Sequence, residues 1–188
     1  MTVGQTLRTG VIAGLMACGA ALTGVVSAQG QATTPVARGK YIVDTSGCHD
    51  CHSPKKMGAN GPEVDLEKIL SGFQAETKLP PPPAIPDGGP WAAVVTWDLT
   101  AWSGPWGRSY AANLTPDVTT GLGSWSEAMF VSALRTGKHM GSGRPILPPM
   151  PWQTIAKLTD PDLAAVFAYL KSLKPVKNLV PAPTPPAK

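Results

Sequence analysis

The chain has 188 residues, 16 Lys/Arg against 12 Asp/Glu for a net charge of +4, and 43% apolar residues. That length supports one domain with a hydrophobic core, no internal period points to repeats, and the lack of a basic block argues against a nucleic-acid partner. With 21 prolines and 20 glycines, a few helices joined by long ordered loops are expected.

Arg8 is the only charged side chain before Arg38, Val11 to Val26 is almost wholly apolar, and Val26-Ser27-Ala28 offers small residues for cleavage. Residues 1–28 therefore read as a signal peptide, which sends the remainder to the periplasm. Leu15-Met16-Ala17-Cys18 resembles a lipobox, the competing reading, but the residues after Cys18 stay mostly apolar where a lipid tether is polar. Cleavage is preferred over lipidation or a retained membrane anchor. It removes Arg8 and Cys18, leaving a net charge of +3 and only Cys48 and Cys51 as cysteines.

Thr34-Pro35 has the form of a helix start, with Thr34 as N-cap and Pro35 in the first turn, and predicts a helix running through Gly39, Tyr41 and Val43 to the cysteines. A short helix is expected from Pro62 to about Ser71, where Val64, Ile69 and Leu70 are apolar and Gly72 follows. From Leu79 to Gly107 regular structure should fade. This stretch holds "LPPPPAIPDGGP" and four of the six tryptophans, Trp91, Trp97, Trp102 and Trp106. Pro80 to Pro83 should be extended, and the indoles are expected to anchor an irregular loop on the core. The sharper alternative has some of them wall a cofactor or face a partner.

Ser124-Trp125-Ser126-Glu127 reads as a capping box opening a helix that Gly137 ends. Thr159-Asp160-Pro161-Asp162 opens the last helix, with Leu163, Val166, Phe167, Leu170 and Leu173 on one face. Residues 175–188, "PVKNLVPAPTPPAK", have the composition of a linker or disordered tail. The predicted organisation is 1–28 signal peptide, 29–174 folded domain and 175–188 tail.

The chemistry is concentrated in Cys48-His49-Asp50-Cys51-His52. On a helical turn, positions i, i+3 and i+4 share a face, so Cys48, Cys51 and His52 project together while His49 and Asp50 do not. Two thiols so placed can add to the two vinyl groups of a porphyrin, and the histidine after the second thiol then lies under the iron, which is why Cys-x-x-Cys-His attaches c-type haem. A thioredoxin-like dithiol calls for a βαβ pattern that is not evident here, and a zinc site with His139 as fourth ligand has poor spacing. A plain disulfide would leave His52 and the leader unexplained.

A haem of this kind is commonly closed by methionine. Met57 is only five residues from His52, too near to pass around the porphyrin, and Met129 lies within a predicted helix and reads as core. Met140, beside His139, belongs to a glycine-rich turn, which leaves that pair as an alternative. Met150 stands in "ILPPMPW", where flanking prolines stiffen the backbone. It is the expected second axial ligand. His139 and an open or water-filled sixth position remain alternatives.

The segments "ARGKYIVDTSGCHDCH", "PPMPW" and "LTDPDLAAVFAYLKSL" together resemble class I c-type cytochromes of the larger bacterial periplasmic kind. The resemblance implies a mostly α fold, a cytochrome c-like helical domain around one covalently bound haem c, with a long irregular Pro/Trp-rich loop inserted. It implies that Gly39 and Tyr41 meet Phe167 or Tyr169 where the terminal helices cross, and that the Pro62 carbonyl accepts from His52 Nδ1. The segment "ANLTPDVTTGLGSWSEAMFVSALRTGKH" is similar to loops in haem domains of dehydrogenase cytochrome subunits.

The functional expectation is a monohaem carrier of single electrons between periplasmic or membrane-bound redox proteins, not an enzyme. Cys48 and Cys51 are the anchors, His52 and Met150 the axial ligands, and no catalytic residue is expected. Lys55 and Lys56 are candidates for a salt-sensitive docking face. The alternatives are a haem with a labile sixth position acting on a small molecule such as peroxide, or a cytochrome subunit of a membrane-associated dehydrogenase complex.

Overall fold

A computed structural model of the chain describes residue 1 and residues 34–85 and 89–186. The signal-peptide and lipobox expectations lie outside the described residues.

Helix α1 spans Pro35–Thr45, capped as expected by the Thr34 hydroxyl, which accepts from the Ala37 N–H at 3.2 Å. It does not continue into the cysteines. Gly47, at φ 73°, turns the chain in a left-handed conformation that glycine adopts without penalty, and a separate short helix α2, Cys48–His52, carries the motif.

The helix expected over 62–71 is absent. Lys55–Gly58 (β1) and Gly61–Val64 (β2) form an antiparallel hairpin in which Pro62 faces Met57, followed by one 3-10 turn at Leu66–Lys68. The reason lies in the backbone partners of Leu70. Its N–H donates to the buried Ser53 hydroxyl (3.0 Å) and its carbonyl accepts from the Leu114 N–H (2.9 Å), so neither group is free for an α-helical ladder.

The Pro/Trp-rich stretch is also more ordered than expected. Val94–Val95 (β3), Ala101–Gly104 (β4) and Gly107–Tyr110 (β5) make an antiparallel sheet in the order β3-β4-β5. Trp91 and Trp97 are exposed, 73% and 59%, and do not anchor anything on the core, whereas Trp102 and Trp106 are half-buried.

Helix α3, Glu127–Thr136, starts two residues later than the predicted capping box: Ser126, not Ser124, is the N-cap, accepting from the Met129 N–H at 3.2 Å. Gly137 ends it at φ 66° and leaves room for the Trp152 ring, which a side chain there would overlap. A short helix α4, Trp152–Ile155, precedes α5, Asp160–Ser172, which Thr159 caps as expected.

The core gathers Ile42, Val43, Leu70, Phe130, Leu163 and Leu170 among others, from α1, α3, α5 and the loops between them. Helices α1 and α5 cross at Gly39, where an added methyl group would overlap the Ala165 carbonyl and crowd Tyr169 Cβ. Gly39 thus meets Tyr169 as expected. Tyr41 does not join it: its ring is 61% exposed beneath the Arg38 guanidinium, and Phe167 packs on Phe130. The helical scaffold stands, but with 32% helix and 14% strand among the described residues the fold is less purely α than expected.

The tail is the last correction. Asn178 is buried, and Thr184 pairs antiparallel with Arg108, so residues 175–184 are fastened to the domain.

Candidate functional site

Helix α2 is too short to hold its own shape, and its backbone is completed from outside. The Asp50 carbonyl accepts from Lys55 Nζ (2.6 Å) and the His52 carbonyl from the Gly72 N–H (2.8 Å). On the side facing away from the thiols, His49 bridges the Ser53 hydroxyl (2.9 Å) and Asp44 (3.2 Å). Ser53, fully buried, in turn accepts from Leu70, which ties the motif to the core.

His52 Nδ1 lies 2.8 Å from the carbonyl oxygen of Ala112, just beyond β5. A carbonyl can only accept, so the proton sits on Nδ1 and the Nε2 lone pair is left free. Burial lowers the pKa of His52, against an opposing effect of the Ala112 bond. The expected Pro62 partner is not used, because Pro62 is held in the β1-β2 hairpin. A backbone carbonyl carries no residue-type signature, so nothing in the sequence singles out Ala112.

Cys48 and Cys51 are half-buried and not joined to each other. Burial pushes the Cys48 thiol up to about 11 and also raises Cys51. Reactive dithiols need the opposite, a lowered pKa. Among the described residues no three His, Cys, Asp or Glu side chains gather to hold a metal ion, and both sheets are antiparallel, so neither the zinc nor the βαβ dithiol reading gains support. The Trp102 indole, whose N–H donates to the Leu99 carbonyl (2.9 Å), lies beside the Cys51 thiol.

The four methionines after residue 28 separate by environment. Met57 on the β1-β2 hairpin, Met129 on α3 and Met140 are exposed, so Met129 is not the core residue expected. Met150 is half-buried and, like Cys48, packs against the main core. Its loop is tethered to β5: the Trp106 indole N–H donates to Ser109 Oγ (3.1 Å), and that hydroxyl donates to the Pro148 carbonyl (2.5 Å). His139 is exposed, edge-on to Trp125.

The three-stranded sheet therefore touches both candidate ligand segments. Lys55 Nζ donates to the Asp98 carbonyl (2.8 Å) in the β3-β4 turn, Ala112 follows β5, and Ser109 holds the Met150 loop. Lys55 is thereby a structural tie, while Lys56 is exposed, 3.8 Å from Glu63. A free Nε2 and two unjoined thiols on one turn are the donors to which a covalently bound haem attaches.

Comparison with known proteins agrees. The family model described as Cytochrome c matches residues 36–174. A nicotinate dehydrogenase subunit of Pseudomonas putida is 41% identical over 78 residues, 42% of this chain and 6% of that protein. The fructose dehydrogenase cytochrome subunit of Gluconobacter japonicus is 37% identical over 86 residues, 45% of this chain and 17% of that one. The gluconate 2-dehydrogenase cytochrome c subunit of Pantoea cypripedii is 40% identical over 65 residues, 35% and 14%. The chain thus spans less than a fifth of the length of each of these relatives. Cys48, Cys51 and His52 fit the Cys-x-x-Cys-His pattern of covalently bound haem c, and with a match running from α1 through α5 the chain belongs to the cytochrome c family, whose members carry electrons.

Proposed function

We propose that this chain is a periplasmic monohaem cytochrome that receives single electrons from a dehydrogenase and passes them to a further redox protein. Cys48 and Cys51 would form the thioether links, His52 would offer Nε2 to the iron, and Met150 would offer its thioether as the second ligand. The haem, when bound, contributes an iron that alternates between Fe(II) and Fe(III). The observation that carries the reading is the orientation of His52: the Ala112 bond leaves Nε2 unprotonated on the same turn as the two thiols. Rigid ligands on both sides suit electron transfer, since little then reorganises when the charge changes.

Support for the donor class comes from the relatives, each a subunit of a dehydrogenase by name. No described helix is long and apolar enough to cross a membrane. Export rests on residues 1–28. Trp97, exposed in the turn that Lys55 ties to the motif, gives a docking partner an apolar contact.

The test is the methionine series on purified holoprotein. In Met150→Ala the weak far-red band of ferric methionine ligation should vanish, the reduction potential should fall, and carbon monoxide should bind the ferrous form readily. Met57→Ala, Met129→Ala and Met140→Ala should leave all three unchanged. If Met150→Ala alters neither the spectrum nor carbon monoxide binding, Met150 is not the ligand.

A further inference from the structure

The 175–184 segment has little apolar surface in the fold: Leu179 is 71% exposed, and Val176 and Val180 are only half-buried. What fastens it is polar and directional. Asn178, 5% exposed, donates through Nδ2 to the Ser71 and Phe73 carbonyls (both 2.8 Å) and accepts at Oδ1 from the Ala75 N–H (3.0 Å). Its backbone N–H donates to Thr120 Oγ1 (3.0 Å). Asn113, 4% exposed, donates to the Val176 carbonyl (2.8 Å) and to Thr120 Oγ1 (3.2 Å), and accepts from the Thr115 N–H (2.9 Å) and hydroxyl (2.7 Å). In both side-chain amides the nitrogen donates twice and the oxygen accepts. Fully satisfied buried networks specify geometry more sharply than apolar contact does.

These two asparagines bind the two segments that hold His52. Residues 70–73 and 111–114 lie side by side, with Phe73 N–H donating to the Ala111 carbonyl and Leu114 N–H to the Leu70 carbonyl (both 2.9 Å). A side chain on Gly72, at φ 78°, would overlap the Ala111 and Ala112 carbonyls. From this pair of segments Gly72 N–H donates to the His52 carbonyl, and the Ala112 carbonyl accepts from the His52 ring. Both polar handles of His52 therefore end on segments tied together from the far side by the tail.

We propose that residues 175–178 form a positioning strap for His52, acting through Asn178 and Asn113 to hold the Ala112 carbonyl against the imidazole Nδ1–H. This rests on His52 being the iron ligand. The partner of a ligating histidine tunes its basicity and the potential of the metal. Loosening the strap should weaken the Nδ1–H bond, make the imidazole a poorer electron donor and move the potential to more positive values. Merely opening the haem site to water would move it the other way, because water stabilises the more highly charged ferric state.

The experiment uses ferrous holoprotein labelled with 15N-histidine, in four forms: wild type, Asn178→Ala, and chains ending at Lys177 or at Ala182. Asn178→Ala and the chain ending at Lys177 should keep covalent haem, exchange the His52 Nδ1 proton roughly tenfold faster or more, and show a more positive potential. The chain ending at Ala182 loses the Arg108–Thr184 pair but keeps Asn178, and should match wild type on both readouts. If Asn178→Ala fails to fold, the chain ending at Lys177, in which water can take the vacated place, decides alone. Unchanged exchange, or a potential that is unchanged or more negative, overturns the strap. His52→Ala separates the two ideas: a retained low-spin spectrum overturns the ligand assignment and the strap with it, whereas a lost spectrum beside unchanged strap variants overturns the strap alone.

Discussion

The α1-α5 crossing and the β3-β4-β5 sheet are held by different forces. In the first, Val43, Leu163 and Leu170 are almost wholly removed from water, each contributing about 1.5–3 kcal/mol, and Gly39 lets the two backbones touch. In the second, single directional bonds reach out from short strands: Lys55 to Asp98, Ser109 to Pro148, His52 to Ala112. The two neutral ones are each worth about 0.5–1.5 kcal/mol net, and the bond from the Lys55 ammonium about 1.5–3 kcal/mol. The crossing makes the domain fold, and the sheet decides where the candidate ligands stand.

Breaking the crossing should have the largest effect. Gly39→Val places branched carbon against the Ala165 carbonyl, which is helix backbone and cannot move aside. A loss of about 3 kcal/mol, the upper part of the overpacking range, is expected. Haem-stained yield and the thermal midpoint by circular dichroism should both collapse. A variant that accumulates as stable holoprotein would show that α1 and α5 can slide apart, and the contrast between the two regions would lose its basis.

Breaking one sheet bond should leave the fold and disturb the site. Ser109→Ala removes the donor to Pro148 and leaves the Trp106 N–H without its acceptor, a change of about 1–3 kcal/mol. Covalent haem should persist. Added imidazole should displace the proposed Met150 ligand more easily, with binding tightened on the order of tenfold if about 1.4 kcal/mol of the tether is lost. Unchanged imidazole affinity, with the thermal midpoint lowered, would make Ser109 a matter of stability only.

The smallest effect sharpens the same comparison from the helical side. Arg38, on α1, donates to Asp162 on α5 at 2.8 Å, and this bond holds the Asp162 carboxyl below its usual range. A depressed pKa contributes stability that is present above the unfolded aspartate value of about 3.9 and is lost as pH falls through the folded value. The pair lies at the surface, with Arg38 exposed and Asp162 half-buried, and is screened. Arg38→Ala should therefore melt only slightly below wild type at neutral pH, and the two melting temperatures should converge as pH drops below that range. A difference that grows in acid would mean that Arg38 acts through something other than Asp162.

Much was legible in the residues alone. Thr34-Pro35 and Thr159-Asp160-Pro161 mark α1 and α5 because caps and proline act within one turn of the chain, and the spacing of Leu163, Val166, Phe167 and Leu170 marks the buried face for the same local reason. Cys48, Cys51 and His52 share a turn whatever surrounds them. Met150 could be ranked above three other methionines from its prolines; in the fold it is half-buried beside the core while those three are exposed.

What escaped the sequence was decided by partners distant along the chain. Residues 62–71 had helix-like spacing, yet Ser53 and Leu114 take both backbone groups of Leu70. Residues 94–110 looked irregular because strands of two to four residues are stabilised by their neighbours and leave little periodicity to detect. Residues 175–184 had a linker's composition, and Asn178 is bound only because the Ser71, Phe73 and Ala75 backbone groups meet there. Ala112 contributes a carbonyl, which every residue has. By itself the sequence determined the helix ends, the apolar face of α5 and the chemistry of residues 48–52, all set within a few residues; the tertiary structure alone decided which backbone groups complete the site, because hydrogen-bond partners 60 residues apart leave no local pattern.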